Sequence, residues 1–191
     1  MKLKHSTVIS GIAVSAGLIF LAAAQPLTAN DDDHDGHDKN SRINIKLNGL
    51  NENLVALSTP ATGRFTARIN RRGEPSIDYE LSYEGFAANN QPTQAHIHFG
   101  QRWQNGGISV WLCANNPPIT TAPTGTQVCP PAPAKITGTI VAANVVGPAG
   151  QGIAAGEFAE LLDAIDKGVT YANIHTPTNP GGEIRAQIKV R

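Results

Sequence analysis

Apolar and polar residues alternate with a period of two along much of the chain beyond residue 40. Ile43, Ile45 and Leu47 alternate with Asn44, Lys46 and Asn48. Phe65, Ala67 and Ile69 alternate with Arg64, Thr66 and Arg68, and Ile77, Tyr79, Leu81 and Tyr83 with Ser76, Asp78, Glu80 and Ser82. Such alternation marks strands with one face buried. A short polar turn ending in Gly73 separates the last two runs, which predicts a β-hairpin. Further strand segments are predicted at 54–58, 94–99, 108–112, 136–141, 169–175 and 183–190, divided by Gly-, Pro- and Asn-rich turns. One stretch, 156–168, has helical spacing: Phe158, Leu161, Leu162 and Ile165 recur on one face, Glu157 and Glu160 stand near its start and Gly168 suits its end. About eight short strands and one short helix predict an all-β fold, a sandwich or barrel with hairpin or Greek-key connections.

The first 40 residues do not follow this pattern. Lys2 and Lys4 precede an apolar run from Val8 to Ala24 that closes on the small residues Ala22, Ala23 and Ala24. A basic start, an apolar middle and an A-x-A site are the three parts of a signal peptide, so 1–24 is expected to be removed on export and the mature chain to be secreted or periplasmic. The run is nearly long enough to span a bilayer, so an uncleaved segment would tether the protein to a membrane. Behind it, 25–41 carries Asp31-Asp32-Asp33-His34-Asp35-Gly36-His37-Asp38. Like charges at this density stay solvated, and a disordered acidic leader is expected, with order beginning near Ser41.

Export changes how the rest is read. Loss of Lys2 and Lys4 takes the formal charge from zero to −2. No basic stripe is interleaved with aromatic residues, so nucleic acid is not expected as a partner. Cys113 and Cys129 become a disulfide pair, because an even cysteine count in an oxidising compartment favours a bridge over a metal site. The bridge would pin the Pro/Thr/Asn-rich excursion between them.

The candidate chemistry is histidine. In Gln94–Phe99, Ala95, Ile97 and Phe99 share one face and His96 and His98 the other. With the apolar set inside, both imidazoles face outward, roughly 6.5–7 Å apart at the backbone. His175 faces outward by the same argument if Ile174 is inside. Three imidazoles can bind one copper or zinc ion and leave a position open. They can equally hydrogen-bond to loop carbonyls, and periodicity does not say whether the two strands are neighbours. Asn179, Glu183 and Arg185 surround the turn after His175 and are read as structural, with Glu183 and Arg185 pairing or bracing the loop. No nucleophile motif or phosphate loop is present; Gly147–Gly152 lacks the Lys-Ser/Thr that phosphate binding needs.

Several stretches together resemble the CHRD domain, named after chordin. They are Leu47-Asn48-Gly49-Leu50-Asn51-Glu52, Ala61–Ala67, Ile77–Tyr83, Gln94-Ala95-His96-Ile97-His98-Phe99-Gly100, and Tyr171–Thr176 running into Asn179-Pro180-Gly181-Gly182-Glu183-Ile184-Arg185-Ala186-Gln187. The resemblance spans about Ile43 to Ile188 and places a CHRD domain at 42–191. It implies an exported binding or structural protein rather than an enzyme, with an extracytoplasmic ligand or protein partner. Two stretches depart from the usual family pattern: 101–110, with its exposed-looking Arg102-Trp103 pair, and the Cys113–Cys129 loop. A fainter similarity links His96-Ile97-His98 and the Gly181-Gly182 block leading to Arg185 to copper/zinc superoxide dismutase, and implies a superoxide-dismutase-like or immunoglobulin-like Greek-key scaffold. That enzyme uses more histidines than the three here, so the resemblance supports at most a mononuclear redox or hydrolytic site, with Glu183 as its acid or base.

Overall fold

The structure, a computed structural model, describes residues 41–115 and 118–191. The expected signal segment lies outside the described residues, as does the leader up to residue 40. Ser41, the first described residue, is buried, and its carbonyl accepts a hydrogen bond from the Ile69 amide.

Eight strands form one antiparallel sheet: β1 (Arg42–Asn48), β2 (Thr62–Asn70), β3 (Ser76–Glu84), β4 (Gln94–Phe99), β5 (Gly107–Ala114), β6 (Ala134–Ile140), β7 (Thr170–His175) and β8 (Ile184–Gln187). Their order is β5-β4-β7-β8-β1-β2-β3-β6. The sheet curls into a nearly closed barrel. The Tyr79 hydroxyl on β3, the strand next to the edge strand β6, donates to the Leu112 carbonyl on the opposite edge strand β5. The β2–β3 hairpin runs in continuous register from Thr62↔Glu84 to Asn70↔Ser76, as the alternation predicts. The links from β3 to β4 and from β6 to β7 cross the barrel end in the Greek-key manner.

Inward-pointing residues of all strands make one core, with Phe65, Ile69, Ile77, Leu81, Ile97, Leu112, Ile174 and Ile184 fully enclosed. Helix α1 (Phe158–Asp166) adds Phe158, Leu161, Leu162, Ala164 and Ile165 to it. The helix ends where Gly168 adopts φ +67°, a left-handed conformation that glycine takes without the cost other residues meet. Arg71, in the β2–β3 turn, grips Asp166 at the helix end through two bonds of 2.6 and 2.8 Å.

The strand expected at 54–58 is absent. Leu54 is 82% exposed, and the segment is a loop folded back so that the Leu57 amide meets the Gly49 carbonyl. A strand needs a free edge, and β1 already has β2 on one side and β8 on the other.

Cys113 and Cys129 are joined by a disulfide across 16 residues of sequence. Asn115 reinforces the base of this loop, donating to the Pro92 and Cys129 carbonyls and accepting from the Cys129 amide. Replacing both cysteines by serine is expected to cost about 3 kcal/mol through the freed unfolded chain. The check is the midpoint of a denaturant titration; an unchanged midpoint would contradict it.

Candidate metal centre

Strands β4 and β7 are direct neighbours, and their register places the histidines together. His96 pairs with Asn173 and His98 with Tyr171, which leaves His175 one diagonal step from His96. On the other side of β4, the pairing with β5 slips twice, between Ala95 and His96 and between Ile97 and His98. Such bulges twist a strand and re-aim its side chains.

The three histidines do lie on the face opposite Ala95 and Ile97, as the alternation requires. They are not open to solvent: His96 is 1%, His98 8% and His175 6% exposed. The expectation of outward, accessible imidazoles is therefore corrected. Alternation fixes the face of a strand but not what covers that face. Here it is roofed by the chain that follows β4, by the turn between β7 and β8, and by Trp111, Tyr171 and Arg185.

One nitrogen from each ring lies within 4.8 Å of the others. The outer hydrogen bonds fix which nitrogens are free. His98 Nδ1 is 2.9 Å from the Gly106 carbonyl, and His175 Nδ1 is 3.0 Å from the Pro180 carbonyl. A carbonyl oxygen only accepts, so both Nδ1 atoms carry the proton and both Nε2 atoms present a lone pair. His96 Nδ1 lies 3.2 Å from His175 Nε2, and the Nε2 atoms of His96 and His98 are buried without a hydrogen-bond partner. An unpartnered buried nitrogen is costly, and such a pair calls for an explanation.

Burial also sets the charge state. It lowers His98 and His175 to about 4, against the pull of the carbonyls that each faces, and drives His96 well below the ordinary imidazole value, helped by the neighbouring His175 and His98. All three rings are neutral near pH 7, the form that binds metal.

Packing holds these rings still. Tyr171 lies parallel to His98 at 4.7 Å between centroids, and Trp111 meets His96 edge-on at 4.2 Å. The Tyr171 hydroxyl accepts from the Gly106 amide, while Gly106 offers its carbonyl to His98. Arg185 sits over the far face of Tyr171, 3.4 Å from its centroid, and donates to the carbonyls of Gln101 and Gln104.

Arg185 and Glu183 do not pair with each other. Glu183 accepts from Thr59 Oγ1, Asn90 Nδ2, Thr176 Oγ1 and Asn179 Nδ2. Four donors on one buried carboxylate lock the β7–β8 turn, and so position the Pro180 carbonyl that orients His175. Asn179 joins that network through its side chain, its carbonyl and its amide.

Glu52 and Asn173 escape a reading based on histidine spacing. Asn173 Nδ2 donates to Glu52 Oε1 at 2.7 Å and to the Ile184 carbonyl at 2.9 Å, next to the β4–β7 pairing. Burial raises the Glu52 carboxyl to about 7, against the opposing Asn173 hydrogen bond. Gly182 fits here because a side chain at that position would collide with both Asn173 and Glu52. Tyr171 and Asn173 were legible as sharing the His175 face; Glu52 follows a turn and carries no periodic signal.

Residues 43–188 match the CHRD domain family. The chain belongs to the CHRD family. No curated protein and no solved structure matches it. The match covers every strand except the outermost residue of β1, so the histidine centre of this CHRD domain is built wholly within the family's module. A disulfide is characteristic of proteins in oxidising compartments, and among the described residues no helix is long and apolar enough to cross a membrane.

Proposed function

We propose that this CHRD-domain protein is exported and binds one transition-metal ion, copper or zinc, through His96, His98 and His175. The observation that carries the reading is the cluster itself: three buried, neutral imidazoles with nitrogens within 4.8 Å of one another. Two nitrogens bound to one metal at 2.0–2.1 Å stand about 3.3 Å apart in tetrahedral geometry. His96 Nδ1 and His175 Nε2 stand 3.2 Å apart, close to that, with the His96 proton moving from Nδ1 to Nε2 on binding. The His98 nitrogen lies within 4.8 Å of the other two, so its ring moves toward them on binding.

The carbonyls of Gly106 and Pro180 act as the outer partners that ligating histidines commonly have, fixing tautomer and ring direction. Imidazole donors suit both copper and zinc, and copper binds the more tightly of the two to a given nitrogen site. The signal segment at 1–24 and the Cys113–Cys129 bridge support a secreted or periplasmic location, with the partner there a ligand or protein met outside the cytoplasm. A catalytic role through Glu183 draws no support, since its carboxylate already accepts four hydrogen bonds within the β7–β8 turn.

The test is metal content after incubation with equimolar Cu(II) or Zn(II) and desalting, for wild type and for a His96→Ala/His98→Ala variant. About one metal per chain is expected in the wild type and almost none in the variant. Equal, negligible metal in both would remove the proposal.

A further inference from the structure

The outer face of β8, β1 and β2 concentrates positive charge in a chain whose formal charges cancel. Lys46 and Arg64 stand directly opposite each other in the β1–β2 register, and both are exposed. Like charges in facing positions weaken a sheet; Arg64 donates to Asn44 Oδ1 at 2.7 Å, a neutral contact that leaves the two facing charges uncancelled. Lys189 continues the positive surface, Arg102 overhangs it from the chain after β4, and Arg185, itself buried, adds its charge to the wall.

Together with Arg191, these five cations line one open groove of about 510 Å³, and no Asp or Glu side chain stands in its wall. None of the five forms an ion pair among the described residues, unlike Arg71, Lys135 and Lys167, which pair with Asp166, Glu80 and Asp163. The groove is within the size range of ligand sites.

Trp103 lines the same groove. It is 54% exposed, and its φ of +66° lies in the left-handed region, where a bulky side chain is strained. Arg185 holds the chain on both sides of it through the Gln101 and Gln104 carbonyls. The fold thus bears a backbone cost and leaves a large aromatic ring in solvent, with Arg102 stacked on it at 4.7 Å.

We propose that this groove binds the acidic sugar units of a glycan. Such a unit has three kinds of surface, and the groove offers a partner for each. Guanidinium and ammonium groups suit carboxylate or sulfate. The Asn51 amide and the Asn44 Nδ2, whose Oδ1 already accepts from Arg64, are also in the wall and match hydroxyls, which both donate and accept. The indole offers a flat apolar face to the C–H side of a sugar ring. The groove contains none of the histidine nitrogens, so the inference stands or falls separately from metal binding.

Calorimetric titration of the full chain with dextran sulfate, polygalacturonate, neutral dextran and poly-glutamate tests it. At least one acidic glycan should bind, more weakly as salt rises, and neutral dextran should not; the preferred one tells sulfate from carboxylate. A Lys46→Glu/Arg64→Glu variant should lose at least about tenfold in affinity, and Trp103→Ala should lose severalfold. The single change Lys46→Glu, which turns a repulsive cross-strand pair into an attractive one, should weaken binding while raising the melting temperature, which separates lost binding from lost folding. Failure of both acidic glycans to bind, equal binding of neutral dextran, or poly-glutamate binding as tightly with no effect of Trp103→Ala would overturn the proposal.

Discussion

Lowering the pH of the metal-free protein from 7 to 4 is expected to remove several kcal/mol of folding stability. Burial lowers His98 and His175 to about 4 in the folded chain, against about 6.5 when unfolded, and His96 too is held well below that ordinary value. Between those values the unfolded chain binds more protons than the folded one, so stability falls as pH falls. The loss is on the order of 3 kcal/mol for each of His98 and His175. Glu52 works in the other direction. Its carboxyl is raised from 4.5 to about 7, so the folded chain holds that proton more tightly and gains stability as pH falls through the same window. One carboxyl offsets roughly one histidine, and the net effect remains a loss. Denaturant midpoints at pH 7, 5.5 and 4 measure it. A midpoint that does not move over this range would show that the imidazoles are not held neutral by burial. Bound metal should steepen the fall, because protons and metal compete for the same lone pairs.

The second large effect is expected from Gly106→Ala. A methyl group there would overlap the Phe99 carbonyl, which is backbone and cannot swing aside. The chain after β4 has to shift, and Gly106 holds two contacts of the centre at once: its carbonyl orients His98 and its amide binds the Tyr171 hydroxyl. Loss of an outer partner of this kind typically costs 10–100-fold in metal affinity, so a decrease of about that size is expected. Competition with a chelating dye reads it out. A variant that folds with a normal melting temperature and binds metal as tightly as wild type would show that the Gly106 contacts do not set the geometry. Gly181→Ala is the matched control, since a side chain at that position meets nothing.

The departures between pattern and structure have physical causes. At 54–58 the apolar residues suggested a strand, but a strand is made by pairing, and both edges of β1 were taken. The alternation in β4 and β7 correctly separated Ala95, Ile97 and Ile174 from the histidines. It then implied a solvated outer face, because alternation reports the difference between two faces and says nothing about cover supplied from elsewhere. Arg185 and Glu183 are read from the sequence as pairing with each other or bracing the loop, and in the structure they bond to other groups and not to each other. Their partners are backbone carbonyls and side chains far away in the chain, such as Thr59, 124 residues from Glu183, and these no local pattern can name.

By itself the sequence determined the eight strands that form (while suggesting one at 54–58 that does not), the helix α1 with its glycine stop, the disulfide pair and the family, since each depends on neighbours within a few residues or on a motif. Tertiary structure alone decided that His96 and His175, 79 residues apart, meet at 3.2 Å. It also decided that the three rings are buried and neutral, and that Glu52 and Asn173 belong beside them. Those outcomes depend on which strands pair and which loops fold over them, and that is a free energy summed over the whole barrel, not a property of any one segment.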